Sequence, residues 1–253
     1  MYPPQIKNYP HLTPSEFAEA AHHLDSLYSR ATLGPLRRQW KLRVRSALNT
    51  HFVSPSDPEY STFVQITRPL ETNLDDDGLS EFLDGLSLDG PAVRHEEGMG
   101  MGMGMGRGNE SGMEVEDDDE AMVLPCKSKT TYGYVTYEIH LHPTYQAPCL
   151  WFSLNGLPAD EPAFNMDTVF RRLVPDQFKD GLRRAVGNVG GISADHHPIT
   201  GVPTFFVHPC LLGEAMSTFE NVSIENYLMV WLGLVGGCVG LWIPKEMALE
   251  SSC

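Results

Sequence analysis

The chain has 253 residues, of which 42% are hydrophobic, and this is enough to bury one core of ordinary size without disulfides or metal. Its five cysteines form an odd set without regular spacing, and the first twenty residues lack the apolar run of a secretory signal, so the composition indicates a reducing, intracellular compartment. Residues 71–125 carry sixteen acidic residues against two arginines, or −14 of the net −15, which leaves the rest nearly neutral and argues against binding to nucleic acid.

An amphipathic helix is predicted close to the start of the chain. Thr13 is the candidate N-cap, Pro14 the first helical residue, and Glu16 completes a capping box. Apolar residues then recur at helical spacing over the following turns. Two strands are predicted next, in "QWKLRVRSAL" (39–48), where apolar and polar residues alternate, and in "STFVQITRPL" (61–70).

Residues 71–125 are predicted to be a disordered insertion. They include "GMGMGMGMGRG" and "EVEDDDE", and segments of this composition cannot bury enough apolar surface to offset the entropy of ordering. The stretch "LSEFLDGLSLDG" mixes acidic and apolar residues and is a candidate to fold on a partner, but a solvated spacer is the favoured interpretation. The insertion then divides one domain into residues 1–70 and 126–244, and residues 245–253 are a tail.

A β-hairpin is predicted after the insertion, because "TTYGYVTYEIHLHP" (130–143) and "PCLWFSLNG" (148–156) are rich in β-branched and aromatic residues and are bounded by turn formers. Short helices are predicted in "AFNMDTVFRRLVP" (163–175) and "DQFKDGLRRAV" (176–186). A helix, successive strands and further helices make an α+β plan rather than an alternating parallel one.

The segment from Asn226 to Pro244 is uncharged and mostly apolar, and its nineteen residues reach the length of a membrane span. A tail anchor is therefore one interpretation. The favoured one is a helix over residues 224–235 that ends at Gly236 and Gly237, followed by a short buried strand in "CVGLWIP" (238–244), because four glycines within eight positions weaken a membrane helix.

Cys210 is the candidate functional residue, and the pattern leaves three roles open: a nucleophile, a metal ligand or a packed small side chain. If residues 204–208 are extended, Phe206, His208 and Cys210 share a face, and Pro209 ends the strand just before the thiol. An accessible thiol at such an edge can attack an activated thioester, whereas buried cysteines are inert. A zinc site would use His196, His197, His208 and Cys210, but these lack the paired spacing of zinc ligands, so no metal is expected.

Four motifs together resemble the autophagy-related protein 10 family, whose members are similar to ubiquitin-conjugating enzymes. They are "HPC" (208–210), "HP" (197–198), "HPTYQAPCLWF" (142–152) and "YLMVWLGLVGGCVGL" (227–241). A sister family that transfers a ubiquitin-like protein to phosphatidylethanolamine also carries "HPC" and an acidic insertion, but it usually has a second histidine soon after the cysteine. Leu211 and Leu212 stand there in this chain.

The resemblance implies a ubiquitin-conjugating-enzyme-like α+β fold, with an antiparallel sheet flanked by helices. It also implies a relay in which autophagy-related protein 12 passes from the activating enzyme, autophagy-related protein 7, to a thioester on Cys210, and then to a lysine of autophagy-related protein 5. Neither metal nor cofactor is implied. The expected location is the cytoplasm, with recruitment to autophagosome assembly sites and at most peripheral membrane contact.

His208 carries two interpretations. Ubiquitin-conjugating enzymes place an asparagine of a His-Pro-Asn motif near the nucleophile to stabilise the oxyanion, and this chain has no such motif. His208 is the candidate for that role, and the alternative is a structural ring that caps the end of the strand. The sister enzyme that acts on phosphatidylethanolamine, and a noncatalytic protein-binding module in which Cys210 merely packs, are the alternative functions.

Overall fold

The computed structural model describes residues 6–48, 60–70, 133–184 and 191–249. Six strands within these ranges form one antiparallel sheet. The strands are β1 (Lys41–Leu48), β2 (Tyr60–Pro69), β3 (Tyr134–His142), β4 (Ala147–Asn155), β5 (Ile192–His196) and β6 (Pro203–Val207). Their order across the sheet is β1-β2-β3-β4-β6-β5, so the predicted strands and the β3–β4 hairpin are confirmed.

The first helix, α1 (Pro14–Arg30), begins at the predicted capping box. The Thr13 hydroxyl accepts a hydrogen bond from the Glu16 N–H at 3.3 Å, and the Glu16 carboxylate accepts one from the Thr13 N–H at 2.8 Å. The apolar stripe of α1 is buried against β1 and β2, so the predicted amphipathic helix is confirmed. Shorter helices follow as α2 (Leu36–Gln39), α3 (Met166–Arg172), α4 (Asp176–Arg184), α5 (Leu212–Ser217), α6 (Tyr227–Val235) and α7 (Lys245–Leu249).

The two faces of the sheet have different chemistry. In β3, Val135, Tyr137 and Ile139 belong to the core that lies under the helices. Strand alternation therefore places Glu138 and His140 on the opposite face, which we call the outer face. The helical side holds the apolar core, and the outer face carries several polar and aromatic side chains that bear on the site described below.

The C-terminal segment differs from the prediction in one element. Helix α6 is confirmed, although it begins at Tyr227 rather than at residue 224. The predicted strand over 238–244 is wrong: the chain continues into a 3₁₀ helix, Gly236–Val239, that ends at Gly240 with φ of 68°. Gly236 permits this turn, because a β-carbon there would lie 2.3 Å from the carbonyl oxygen of Leu241.

The membrane interpretation concerns the same segment. Within the described ranges, no helix combines the length and the apolar character needed to cross a bilayer. Helix α6 has nine residues and buries five of them, Tyr227, Leu228, Trp231, Leu232 and Val235. These side chains lie in the same core as α1 and the sheet.

The predicted insertion, residues 71–125, lies outside the described residues, and its disorder stays a prediction. The chain on either side of it belongs to one sheet, since β2 and β3 are paired. The Leu70 N–H donates a hydrogen bond to the Gly133 carbonyl at 2.9 Å, so the two ends of the undescribed segment meet. The predicted tail begins with α7, in which Met247 is fully buried.

Candidate active site

Cys210 lies on the turn that follows β6. Pro209 begins a 3₁₀ helix, Pro209–Leu211, directly after the strand, and α5 continues from Leu212. The strand thus ends where the sequence predicted, but the alternation of side chains ends with it. The orientation of Cys210 is therefore set by the turn and not by the strand, and the residue is exposed.

His208 is the N-cap of this turn, and its ring Nδ1 accepts a hydrogen bond from the Cys210 N–H at 3.2 Å. Because Nδ1 acts as an acceptor, the neutral ring carries its proton on Nε2. The ring therefore performs the structural capping role that the sequence left open. The Nε2–H of the ring stays available as a donor, and a donor is what stabilisation of an oxyanion requires. That role of His208 stays a prediction.

The turn between β3 and β4 lies beside His208. The Tyr145 ring stands edge-on to the His208 ring, with centroids 5.7 Å apart, and His142 is 4.8 Å from Tyr145. The pKa of His142 is lowered, mainly by partial burial and to a smaller extent by the nearby His208. Gln146 holds the turn with a positive φ of 49°, and its carbonyl accepts the Leu12 N–H at 2.7 Å. Sequence reasoning missed this neighbour, although the "HPTYQ" stretch bears the polar signature of a turn.

The other described cysteines have the opposite environment. Cys149 is buried on β4 and donates to the Val207 carbonyl, and burial raises the pKa of its thiol well above the ordinary value. Cys238 is buried at the 3₁₀ helix, donates to the Val235 carbonyl at 3.0 Å, and burial raises its thiol pKa to about 12. Thiols of this kind stay protonated and inaccessible near neutrality. Cys126 and Cys253 lie outside the described residues.

The residues of the hypothetical zinc site are not brought together as one group. His196 is exposed and pairs with Asp195, with Nδ1 and Oδ1 3.4 Å apart, and His197 is buried and directed to Glu138. Within the described part of the chain, one group of three potential ligands does gather: Glu138, His140 and His197, whose ligand atoms lie within 4.8 Å of one another. Sequence reasoning missed this cluster.

Hydrogen bonds within the cluster already define its protons. His140 Nε2 and His197 Nε2 both donate to Glu138 Oε2, each at 2.9 Å. His197 Nδ1 accepts from the backbone N–H groups of Ile199 and Thr200, so its neutral ring must carry the proton on Nε2. A metal ligand needs a nitrogen free of that proton, and metal-bound histidines usually donate from the other nitrogen. The donor set therefore fits a hydrogen-bonded cluster and not a metal centre.

An antiparallel sheet backed by helices, with an accessible cysteine on the turn after its sixth strand, defines a protein like the ubiquitin-conjugating enzymes. The family model described as "Autophagocytosis associated protein, active-site domain" matches residues 16–246. The chain is 56% identical over 248 residues to the ubiquitin-like-conjugating enzyme ATG10 of Gibberella zeae, covering 97% of this chain and 99% of that protein. The chain belongs to the ATG10 family of ubiquitin-like-conjugating enzymes, as the motifs predicted, and it is a conjugating transferase of autophagy.

More distant relatives match a smaller part of the chain. The ubiquitin-like-conjugating enzyme ATG10 of Homo sapiens is 31% identical over 125 residues, which is 47% of this chain and 54% of that protein. The enzyme of the same name from Arabidopsis thaliana is 28% identical over 137 residues, which is 51% of this chain and 58% of that protein.

Proposed function

We propose that Cys210 is the residue that carries the ubiquitin-like protein as a thioester. The observation that supports this most is exposure: of the three described cysteines, Cys210 alone is exposed, whereas Cys149 and Cys238 are buried with raised thiol pKa values. Its backbone is held by the His208 ring in a short turn, so the thiol projects from a defined position. A conjugating enzyme needs such a thiol where two large partners can reach it.

The chemistry has two steps. In the first, the Cys210 thiolate attacks the carbonyl carbon of the donor thioester, a C–S bond to Cys210 forms, and the bond to the activating enzyme's cysteine breaks as that thiolate leaves. In the second, a lysine amine of the acceptor attacks the same carbonyl carbon, loses its proton to solvent or a base, and expels the Cys210 thiolate. Both steps pass through a tetrahedral oxyanion.

His208 is the proposed donor to that oxyanion. Its Nδ1 is occupied by the Cys210 N–H, which fixes the ring beside the nucleophile and leaves the proton on Nε2. A ring held in this way loses little entropy when it donates in the transition state, and one well-placed donor is worth about 10²–10³ in rate.

The partners are the finer part of the proposal. The ubiquitin-like protein is autophagy-related protein 12, the donor is autophagy-related protein 7, and the acceptor is a lysine of autophagy-related protein 5, acting in the cytoplasm and at autophagosome assembly sites. The support is that the Gibberella zeae relative, aligned over nearly its full length, is named a ubiquitin-like-conjugating enzyme.

The decisive experiment mixes the purified chain with the activating enzyme, ATP and autophagy-related protein 12, and follows adducts on a nonreducing gel. A band that thiols remove, and that is absent in Cys210→Ala, is the expected result. Replacement of Cys126 or Cys253 by serine, or of the buried Cys149 or Cys238 by alanine, should leave the band. A band that persists in Cys210→Ala contradicts the assignment of the nucleophile.

A second arm tests the acceptor. The charged chain is offered autophagy-related protein 5 in one tube and vesicles containing phosphatidylethanolamine in another. Transfer to the protein lysine alone supports the proposal, because an amide bond then links the two proteins and survives thiols. Transfer to the lipid would assign the chain the activity of the sister enzyme.

A further inference from the structure

The outer face carries the cluster of Glu138, His140 and His197, none of which was assigned a role in the chemistry above. The Glu138 carboxylate is half-buried, while His140 and His197 are 5% and 7% exposed. Glu138 Oε2 accepts both imidazole N–H groups, and Oε1 accepts from Gln65 Nε2 at 2.8 Å. Burial alone would raise the pKa of Glu138, but the hydrogen bonds from His140, His197 and Gln65 hold it well below its ordinary range, so the cluster keeps a negative charge.

The hydrogen bond between His197 and Glu138 holds the loop between β5 and β6 against β3, in the middle of the sheet. His197 stands at the start of that loop, and its ring joins Glu138 on one side and the backbone N–H groups of Ile199 and Thr200 on the other. The loop closes on itself, because the His197 N–H donates to the Val202 carbonyl at 2.9 Å. Strand β6 leaves this loop and leads directly to the turn that holds Cys210.

A continuous row of rings connects the cluster with that turn. His197 stands edge-on to Trp151 at 5.7 Å, Trp151 is stacked on Phe206 at 4.7 Å, and Phe206 lies 6.0 Å from the His208 ring. The register supports the row, since Glu138 is directly opposite Trp151, and Trp151 is directly opposite Phe206. Directly opposed side chains on one face of a sheet contact each other.

Simple packing does not account for a carboxylate at the start of this row. Replacing a buried ionic group by apolar residues of similar volume is often neutral or stabilising, so stability alone does not require Glu138. What the carboxylate adds is orientation: Glu138 Oε2 accepts the Nε2–H of both histidines and so holds the His197 ring in one position. The His197 ring contacts Trp151, Trp151 is stacked on Phe206, and Phe206 in turn lies beside His208.

We propose that Glu138 and His197 are positioning residues for Cys210, which set the place of the His208 ring through Trp151 and Phe206. The inference rests on the proposed role of Cys210 as the thioester carrier. His208 holds the Cys210 N–H at 3.2 Å, so a shift of its ring moves both the nucleophile and the donor to the oxyanion. A misplacement of about 1 Å in a catalytic group can lower a rate by about 10²-fold.

Substitutions at His197 separate its two ring nitrogens. In His197→Asn the amide oxygen can take the place of Nδ1 at the turn, but nothing replaces the donor to Glu138. In His197→Gln the amide N–H₂ can take the place of Nε2, but nothing replaces the acceptor at the turn. Both remove the ring that contacts Trp151, and Glu138→Gln removes the charge while keeping the shape.

The experiment uses the full chain with Cys126→Ser and Cys253→Ser, which leaves Cys210 as the exposed cysteine beside the buried Cys149 and Cys238. Two rates are measured at a temperature where each variant is folded. One is single-turnover charging from the loaded activating enzyme over a range of concentrations, and the other is alkylation of Cys210 by iodoacetamide between pH 6 and pH 10. The control, Leu24→Ala, removes a buried side chain of α1 on the helical side of the sheet.

We expect Glu138→Gln, His197→Asn and His197→Gln to lower the saturating charging rate at least tenfold, with the half-saturating concentration within twofold of wild type and a displaced pH profile of alkylation. Leu24→Ala should charge at the wild-type rate despite its loss of stability. If Glu138→Gln does not fold, Trp151→Phe and Trp151→Leu carry the same comparison: the phenylalanine keeps a ring in contact with Phe206 and should retain most of the rate, and the leucine should not.

Folded cluster variants that charge within twofold of wild type would overturn the positioning role. So would a decrease that merely follows the loss of stability and is equal in Leu24→Ala. A wild type that gains no adduct would instead refute the proposed function. Alkylation still decides the inference in that case, because an unchanged pH profile in every cluster variant would contradict it without any partner protein.

Discussion

Trp231 lies at the centre of α6 and is fully buried, which makes it a sharp test of the packed C-terminal segment. Truncating a tryptophan to alanine removes on the order of 150 Å² of buried apolar surface, worth about 4 kcal/mol at about 25 cal/mol per Å². A residual cavity adds to this cost. Within the described residues, Trp231 Nε1 is buried without a hydrogen-bond partner, so its removal returns about 1 kcal/mol. Trp231→Ala should therefore lower the free energy of unfolding by about 3–5 kcal/mol.

The assay is urea denaturation of wild type, Trp231→Ala and two controls, expressed without detergent. With an m-value of about 2–3 kcal/mol per M for a chain of this size, the midpoint should fall by about 1–2 M. Trp231→Phe, which keeps a large ring and deletes the unpaired N–H, should cost much less. Met229→Ala, on the half-buried side of α6, should change the midpoint little. A change below about 1 kcal/mol in Trp231→Ala, or a wild type extracted only by detergent, would refute the packed helix.

Four further outcomes are expected. Cys210→Ser should trap the ubiquitin-like protein as an oxyester that resists thiols and turns over slowly, because the hydroxyl is a poor nucleophile and its ester a weak acyl donor; full conjugation by this variant would remove Cys210 from the mechanism. In His208→Asn the amide oxygen can accept the Cys210 N–H, so this variant should fold like wild type and form the thioester at least tenfold faster than His208→Ala. Equal rates of thioester formation in the two variants on the gel assay would exclude a role for this cap. A chain that joins residue 70 to residue 126 through a short flexible linker should keep a cooperative thermal transition, because loop closure entropy changes slowly with length; a lost transition would show that the acidic segment packs. The pKa of Glu138 is lowered from 4.5 in the folded chain, so its ionised form stabilises the fold above pH 4.5, and this stabilisation is lost as the pH falls toward the pKa of the folded state. Glu138→Gln should therefore make the free energy of unfolding decline less steeply below pH 4.5. A decline as steep as that of wild type would contradict the ionised cluster.

Local signals in the sequence predicted most of the elements. The capping box of Thr13 and Glu16 located the first turn of α1, since both hydrogen bonds are made by residues three apart. The strands of the hairpin were predicted from β-branched and aromatic residues between turn formers, and the motif around Cys210 identified the family that the comparisons confirm. These features depend on neighbours in the sequence, which a single chain displays.

The features that escaped prediction depend on neighbours in space. Residues 238–244 have the composition of a strand, but the chain turns there in a 3₁₀ helix. The Leu241 carbonyl packs so close to Gly236 that a β-carbon at this position would clash with it, and the sequence alone does not show this contact. Alternation alone could place Glu138 and His140 on one face of β3. Their partner His197 is far along the chain, and only the strand order that sets β6 beside β4 brings it near.

The hydrogen bond between Leu70 and Gly133 holds together the two residues that flank the undescribed acidic segment. The two anchor points are one hydrogen bond apart at the same end of paired strands, so whatever joins them must leave and return at one place. A fluorescent protein or a small tag with closely spaced ends could be spliced between these anchors without spreading β2 from β3. The enzyme thus offers a site for a reporter that would show where the protein lies in living cells, while the Cys210 turn, at the opposite end of the sheet, stays untouched.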